Sequence, residues 1–363
     1  MQRKRLREYG MSVGELPTGE WNSITDVPSV AVGHVTLHPE SGYAEGVCTG
    51  VTAILPHEGN WFRQKVAAAS HVINGFGKTT GLVQLQELGV IESPILLTNT
   101  FGVPAATEGA LQVMLERDDA IGDRTGSLNV VVGECNDSYL NDMRGLHVRP
   151  EHAREAIRQA KRGPVAEGCV GAGTGMVCFG WKGGIGTASR RIEVDGKAYH
   201  VGVLVLSNFG VKQDLTVLGH PVGKLLTDCS GKREQQTTPD GSIMIVIATD
   251  LPMCSRQLQR LAKRAAFGLA RTGSIAHHGS GDIVIAFSNG NRIPHDPEQG
   301  LLTMRVLRED GPFMSQCFRA AVEATEEAIL NSLFLAETTT GRLGRTVEAL
   351  PVETVLEIIR TRR

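Results

Sequence analysis

Aromatic residues make up only 5% of this 363-residue chain, no run of 18 or more apolar residues occurs, and neither sign of charge dominates. The missing apolar run excludes a membrane-spanning helix. Thirty-seven basic residues against 39 acidic ones leave a formal charge of −2. That balance lacks the positive field on which sequence-independent nucleic-acid binding depends. The seven cysteines are odd in number and scattered, with no C-x-x-C pair. Neither a disulfide framework nor a zinc site is suggested, and reduced thiols in a cytoplasm are the simplest account. The start is basic through Arg7, yet Tyr9-Gly10-Met11-Ser12-Val13-Gly14-Glu15 never becomes the apolar core of an export signal. A cytoplasmic location is therefore expected, without nucleic acid or membrane as partner. An apolar content of 41% is ordinary and argues against disorder.

Glycine is the abundant residue, at 43 positions. Many tight turns, or backbone brought close to a ligand, are implied. Helices are predicted over residues 62–73, 78–89, 104–118, 150–162, 252–272, 313–336 and 351–362. The fifth is the clearest, because Leu258, Leu261, Ala262, Ala265, Ala266, Leu269 and Ala270 recur at helical spacing. Between them lie short apolar runs rich in β-branched residues: 51–55, 95–98, 128–132, 200–206, 243–249 and 283–287. Continuous runs of this kind suit strands buried on both faces, so layers of helix over central sheet are expected. The stretch 228–241 is polar and aperiodic and reads as a loop. Immediately after it comes Ser242 to Thr249, the most strand-like run in the chain.

Several familiar motifs fail on inspection. Gly75-Phe76-Gly77-Lys78-Thr79 lacks the earlier glycine of a phosphate loop, since Val72 stands there. Gly171-Ala-Gly173-Thr-Gly175-Met176 ends in Met where a dinucleotide fingerprint needs Gly. Ser280 misses the nucleophile elbow because residue 278 is His278. No histidine pair has metal-ligand spacing on a helix, so neither a metal nor another cofactor is expected.

Asp240-Gly241-Ser242 carries a chemistry of its own, although taken alone it also reads as an ordinary turn. Gly241 lacks a Cβ, so its carbonyl can be approached and its backbone strained. The Ser242 hydroxyl can attack that carbonyl, moving the acyl group from nitrogen to oxygen before water releases the ester. Ser242 would then begin a new chain with a hydroxyl and a free α-amine on one residue. An α-amine has a pKa near 8, so part of it can serve as base at neutral pH. No histidine is required.

These residues resemble the self-processing serine aminopeptidases that comprise the L-aminopeptidase D-amidase/esterases and the β-peptidyl aminopeptidases. The resemblance runs along nearly the whole chain, through Asn22-Ser-Ile-Thr25-Asp26-Val27, Val32-Gly33-His34, Thr98-Asn99-Thr100, Val132-Gly133-Glu134-Cys-Asn136-Asp137, Gly171 to Met176, Ser207-Asn208-Phe209-Gly210, Gly241-Ser242 and Gly279-Ser280-Gly281-Asp282-Ile283. It implies a four-layer αββα sandwich like that of N-terminal nucleophile hydrolases with different connectivity. It also implies one domain cut into an α chain 1–241 and a β chain 242–363, which assemble further as a homo-oligomer. By position, Ser242 is the nucleophile, and Asn208 donates its amide to the oxyanion of the tetrahedral intermediate. Ser280 and Asp282 orient the nucleophile through hydrogen bonds. Family members carry Glu at the latter position, so Asp282 departs from them and reaches one methylene less far. Glu134 anchors the substrate's free amine, and the Tyr139 hydroxyl is a further donor near the oxyanion.

The implied activity is removal of a small amino-terminal residue (glycyl, L-alanyl, D-alanyl amide or ester, or β-alanyl) from a peptide, amide or ester through an acyl-enzyme. Two alternatives stay open on sequence alone. One is a self-cleaving amine acyltransferase similar to ornithine acetyltransferase, a family that uses Thr where this chain has Ser242. The other is a noncatalytic binding protein with the Gly241–Ser242 bond intact.

Overall fold

A computed structural model of the chain describes residues 3–230 and 241–361. In chain order the strands are β1 (Ala31–Leu37), β2 (Thr49–Leu55), β3 (Gln64–Gly75), β4 (Val90–Ile91), β5 (Ile95–Asn99), β6 (Val131–Cys135) and β7 (Val177–Cys178). They continue as β8 (Trp181–Lys182), β9 (Gly184–Val194), β10 (Lys197–Asn208), β11 (Ser242–Thr249), β12 (Gly281–Pro294), β13 (Thr339–Thr340) and β14 (Thr346–Val347). The helices are α1 (Leu82–Leu88), α2 (Val103–Arg117), α3 (Pro150–Arg158), α4 (Val222–Ser230), α5 (Ser255–Ala262), α6 (Ala265–Arg271), α7 (Phe313–Leu335) and α8 (Val352–Thr361). None of these is long and apolar enough to cross a membrane.

Two sheets hold the centre, one ordered β1-β2-β5-β6 and the other β4-β3-β12-β11-β10-β9. Successive strand residues point to opposite faces, so a strand buried on both sides divides its side chains between two cores. β11 does so: Ile243, Ile245 and Ile247 join a core with helix residues such as Leu258, Leu261, Ala320 and Ala324. Met244, Val246 and Ala248 face the other way, onto Ile54, Leu97 and Val131 of the smaller sheet. The outer face of that sheet, through Val51, Ala53, Leu96 and Val132, packs on Ala106, Ala110 and Met114 of α2 and Ala153 and Ile157 of α3. The layer order is therefore helix, sheet, sheet, helix, as the resemblance implied.

Three sequence expectations are corrected. The helix over 62–73 is the strand β3, in which Ala67 and Ala69 face the helices while Val66 and Ala68 face the second sheet. Its small side chains satisfy either periodicity, and the long antiparallel ladder with β12, from Gly281↔Gly75 to Pro294↔Gln64, decides for strand. The helix over 252–272 is two helices, joined at Lys263–Arg264 where the amide of Arg264 bonds only three residues back, to Leu261. Residues 228–230, expected in a loop, close α4, and residues 231–240 of that stretch lie outside the described residues.

Candidate active site

Three neighbouring strand ends meet at one edge of the larger sheet. Asn208 is the last residue of β10 and pairs in register with Ser242, the first residue of β11. Ser242 in turn pairs with Gly281, the first residue of the parallel strand β12. Side-chain alternation puts Ser242 on the same face as Met244 and Val246, towards the smaller sheet. There it meets the end of β6: the Asn136 amide donates to the Ser242 Oγ at 3.3 Å. The Asn208 side chain closes the same junction, with its Nδ2 donating to the Asn136 carbonyl at 2.9 Å and its Oδ1 accepting from the Val177 amide at 2.8 Å. Backbone groups thus fix both ends of the Asn208 amide through one donated and one accepted bond, and its donor end, with a second N–H not used in these bonds, points to where β6 and β11 approach.

On the other side of Ser242, the Ser280 Oγ donates to the Asp282 Oδ1 at 2.6 Å. The Gly281 amide between them donates to the Gly241 carbonyl at 3.0 Å. Asp282 Oδ2 is buried and unpartnered among the described residues. Burial pushes the Asp282 carboxyl up to about 6, opposed by the Ser280 hydroxyl, His277 and the Ile243 amide. The turn before this pair is held by Asn74, whose Nδ2 donates to the carbonyls of His277, at 2.9 Å, and Ser280. A Cβ on Gly281 would stand 2.8 Å from the Cα of Gly77, so the backbones approach here more closely than a larger residue at position 281 permits.

Glu134 lies inside β6, not beyond it as the apolar run 128–132 suggested, since Thr98↔Glu134 and Asn99↔Cys135 continue the parallel pairing with β5. It is buried, with Oε1 accepting from the Lys78 amide at 2.8 Å and Oε2 from the Thr100 hydroxyl. Burial raises its pKa, against those two hydrogen bonds and the Lys78 charge. A buried carboxylate of this kind suits a cationic amine. Asp137, fully buried two residues past Cys135, is likewise pushed up to about 7 by burial.

Ser242, Asn208, Gly241, Ser280, Asp282 and Glu134 thus gather around the start of β11 and the end of β6. Tyr139 makes no hydrogen bond to any of them. It is half exposed, its ring lies under the Arg345 guanidinium at 5.1 Å, and its hydroxyl makes no hydrogen bond among the described residues. Sequence reasoning missed Asn136, Thr100 and Lys78. Asn136 and Lys78 act through backbone amides, which no side-chain pattern reveals, though Asn136 and Thr100 stand inside motifs that carried the resemblance. The discarded Gly75–Thr79 motif is the turn that brings the Lys78 amide to Glu134.

The layered fold is that of the Ntn-hydrolase-like serine aminopeptidases. The model of peptidase family S58 matches residues 22–347, and the chain belongs to that family. It is 43% identical to a beta-peptidyl aminopeptidase of Sphingosinicella microcystinivorans, over 96% of this chain and 89% of that protein. Its structure is similar to that of the PH0078 protein from Pyrococcus horikoshii, with TM-score 0.92, 50% identity and 99% of each chain covered. It is also similar to an L-aminopeptidase D-Ala-esterase/amidase from Ochrobactrum anthropi, described as a variant of the Ntn hydrolase fold, with TM-score 0.90, 36% identity and 99% and 98% of the two chains covered. The chain is accordingly an aminopeptidase.

Proposed function

We propose that the chain cuts its own Gly241–Ser242 bond and then works as a serine aminopeptidase releasing one small amino-terminal residue at a time. The observation that carries this reading is that Ser242, at the mouth of the central strand, directly follows a glycyl carbonyl already bound by the amide of Gly281, its neighbour in β12. In the cleavage step the Ser242 Oγ adds to the Gly241 carbonyl carbon and its proton passes to the Ser242 nitrogen. The oxyanion forms against the Gly281 N–H, the C–N bond breaks, and water hydrolyses the resulting ester to a Gly241 carboxylate and a free Ser242.

In turnover the Ser242 α-amine takes the hydroxyl proton, and the acyl-enzyme forms with loss of the substrate's amine or alcohol. Asn208 is suited to the oxyanion, as a neutral donor fixed in advance by the Val177 amide. Glu134 is suited to the substrate's ammonium group, which makes a free amino terminus the recognition element. Asp282, whose Oδ2 is an unused acceptor beside the start of β11, is suited with Ser280 to hold the amine of Ser242. The relatives named for beta-peptidyl and D-Ala substrates support glycyl, L-alanyl, D-alanyl amide or ester and β-alanyl compounds as the class to test. They also favour water over an amine as acceptor, and a catalyst over a binding protein.

Ser242→Ala is the test. Its chain is expected to stay intact at 39.0 kDa by mass spectrometry, with no hydrolysis of alanyl or β-alanyl anilides, while the unaltered chain gives fragments of 241 and 122 residues. A normally cut Ser242→Ala chain would refute the proposal.

A further inference from the structure

Lys182 stands outside the machinery described so far. Its side chain is 0% exposed. Among the described residues its Nζ has two partners, the carbonyls of Gly173 and Gly183, both at 3.0 Å, and no carboxylate at ion-pair distance. The neighbouring thiols supply no anion either, since burial pushes Cys48 and Cys178 each up to about 12. Burying a lysine head group without a counter-charge is costly. Replacing it by an apolar residue and closing the gap would be cheaper for stability alone.

The two acceptors show what the lysine holds. Gly173 and Gly183 flank the β7–β8 hairpin, which turns tightly through Phe179 and Gly180, both at positive φ. That hairpin is docked on the end of β10 by two amides: Phe179 N–H donates to the Phe209 carbonyl at 2.6 Å, and Val177 N–H to the Asn208 Oδ1 at 2.8 Å. The Gly183 amide also donates back to the Met176 carbonyl at 3.0 Å, closing the base of the hairpin. Lys182 ties together the two backbone segments between which Val177 is fixed. The glycine-rich Gly171–Met176 run, which fails as a nucleotide motif, is one of them. Its glycines allow the approach: a Cβ on Gly173 would meet the Ile185 nitrogen at 2.5 Å.

We infer that Lys182 is a positioning residue for the oxyanion donor: it clamps the β7–β8 hairpin so that the Val177 amide fixes Asn208 with its Nδ2 towards the reaction centre. The inference rests on Asn208 acting as proposed above, and it assigns a role to a residue that touches neither substrate nor nucleophile.

The experiment is a double-mutant cycle on protein whose cut fraction has been counted by intact mass, with kcat and KM measured separately on an alanyl anilide. Asn208→Ala alone is expected to lower kcat by about 100-fold or more. Lys182→Met, which keeps the apolar stem, is expected to lower kcat by roughly 10-fold or more with KM changed by less than about threefold. Placed on Asn208→Ala, it should cost less than about twofold further, because the residue it positions is gone. Lys182→Gln, which retains one donor, should recover part of the loss, and it carries the same cycle if Lys182→Met does not fold. Equal factors in both backgrounds, or a loss confined to KM or to the melting temperature, would overturn the inference. An unchanged kcat in Asn208→Ala would instead overturn the reading of Asn208.

Discussion

Around Ser242 it is burial, more than any charged neighbour, that sets the state of the acids. Asp282 has no cation at ion-pair distance among the described residues, and desolvation carries its carboxyl from the ordinary 3.8 to about 6. An acid whose folded pKa is raised binds its proton more tightly in the fold than in the unfolded chain. Its contribution to stability is therefore greatest at low pH and is lost as pH rises from about 4 through about 6. His34 and His57, whose pKa burial lowers to about 4, slope the opposite way, so the prediction concerns the difference: the melting temperature of the uncut Ser242→Ala chain should decline across that window relative to the same chain carrying Asp282→Asn. Asp137 and Glu167, both raised to about 7 by burial, slope in the same direction as Asp282 in both chains and cancel in that comparison. Thermal melts at half-unit pH steps make the comparison, and identical slopes in the two chains would show that Asp282 is not buried as an acid. On the proposed cleavage a Ser242 ammonium beside Asp282 would oppose that rise, so the slope is measured on the uncut chain.

At the scale of elements, the close contact between the start of β12 and the turn after β3 decides whether Ser280 and Asp282 stand in place. A Cβ at position 281 meets the Cα and nitrogen of Gly77, both at 2.8 Å, and neither backbone can step aside like a side-chain tip. Gly281→Ala should therefore separate the two segments, costing about 1–3 kcal/mol by overpacking and slowing both cleavage and turnover. Denaturant midpoints and the rate of appearance of the 122-residue fragment measure the two effects together; a fully active, equally stable variant would remove the close approach from the argument. The same contact explains what the sequence could and could not reveal. Apolar runs such as 243–249 announced β11, and Gly241–Ser242 at its mouth could be read from its own chemistry, whereas Asn208, Glu134, Ser280 and Asp282 were named only by the family resemblance. β3 was not legible, since Ala67, Ala68 and Ala69 fit helix and strand alike until a partner ladder chooses. β9 was hidden because Arg190 and Ser189 interrupt its apolar pattern, although Arg190 is buried there between Glu323 and Glu327 of α7. The Gly281, Lys78, Val177 and Asn136 amides were invisible for a simpler reason, as every residue except proline offers one.

For the whole molecule, the proposed cut falls where it severs the chain without dividing the structure. Residues up to 241 supply β3, β4, β9 and β10 of the larger sheet, and residues from 242 supply β11 and β12. The order β4-β3-β12-β11-β10-β9 inserts the second pair between strands of the first. β11 is bound to β10 from Val201↔Thr249 to Asn208↔Ser242, and β12 to β3 on its far side. Neither fragment can leave without breaking two ladders and opening the core in which Ala320, Ala324 and Ala328 of α7 meet Ala188 and Ile192 of β9 and Val201 and Val203 of β10. One hydrolysed peptide bond removes none of these contacts, and it frees the first residue of β11 to carry an amine. The cut protein should therefore elute from a sizing column as one species containing both fragments in equal amounts, and it should lose both together in a single denaturant transition. Elution of the 122-residue fragment by itself under native conditions would mean that the strands from 242 onward do not lie between those of the larger fragment, and would remove the structural basis for self-cleavage at Ser242.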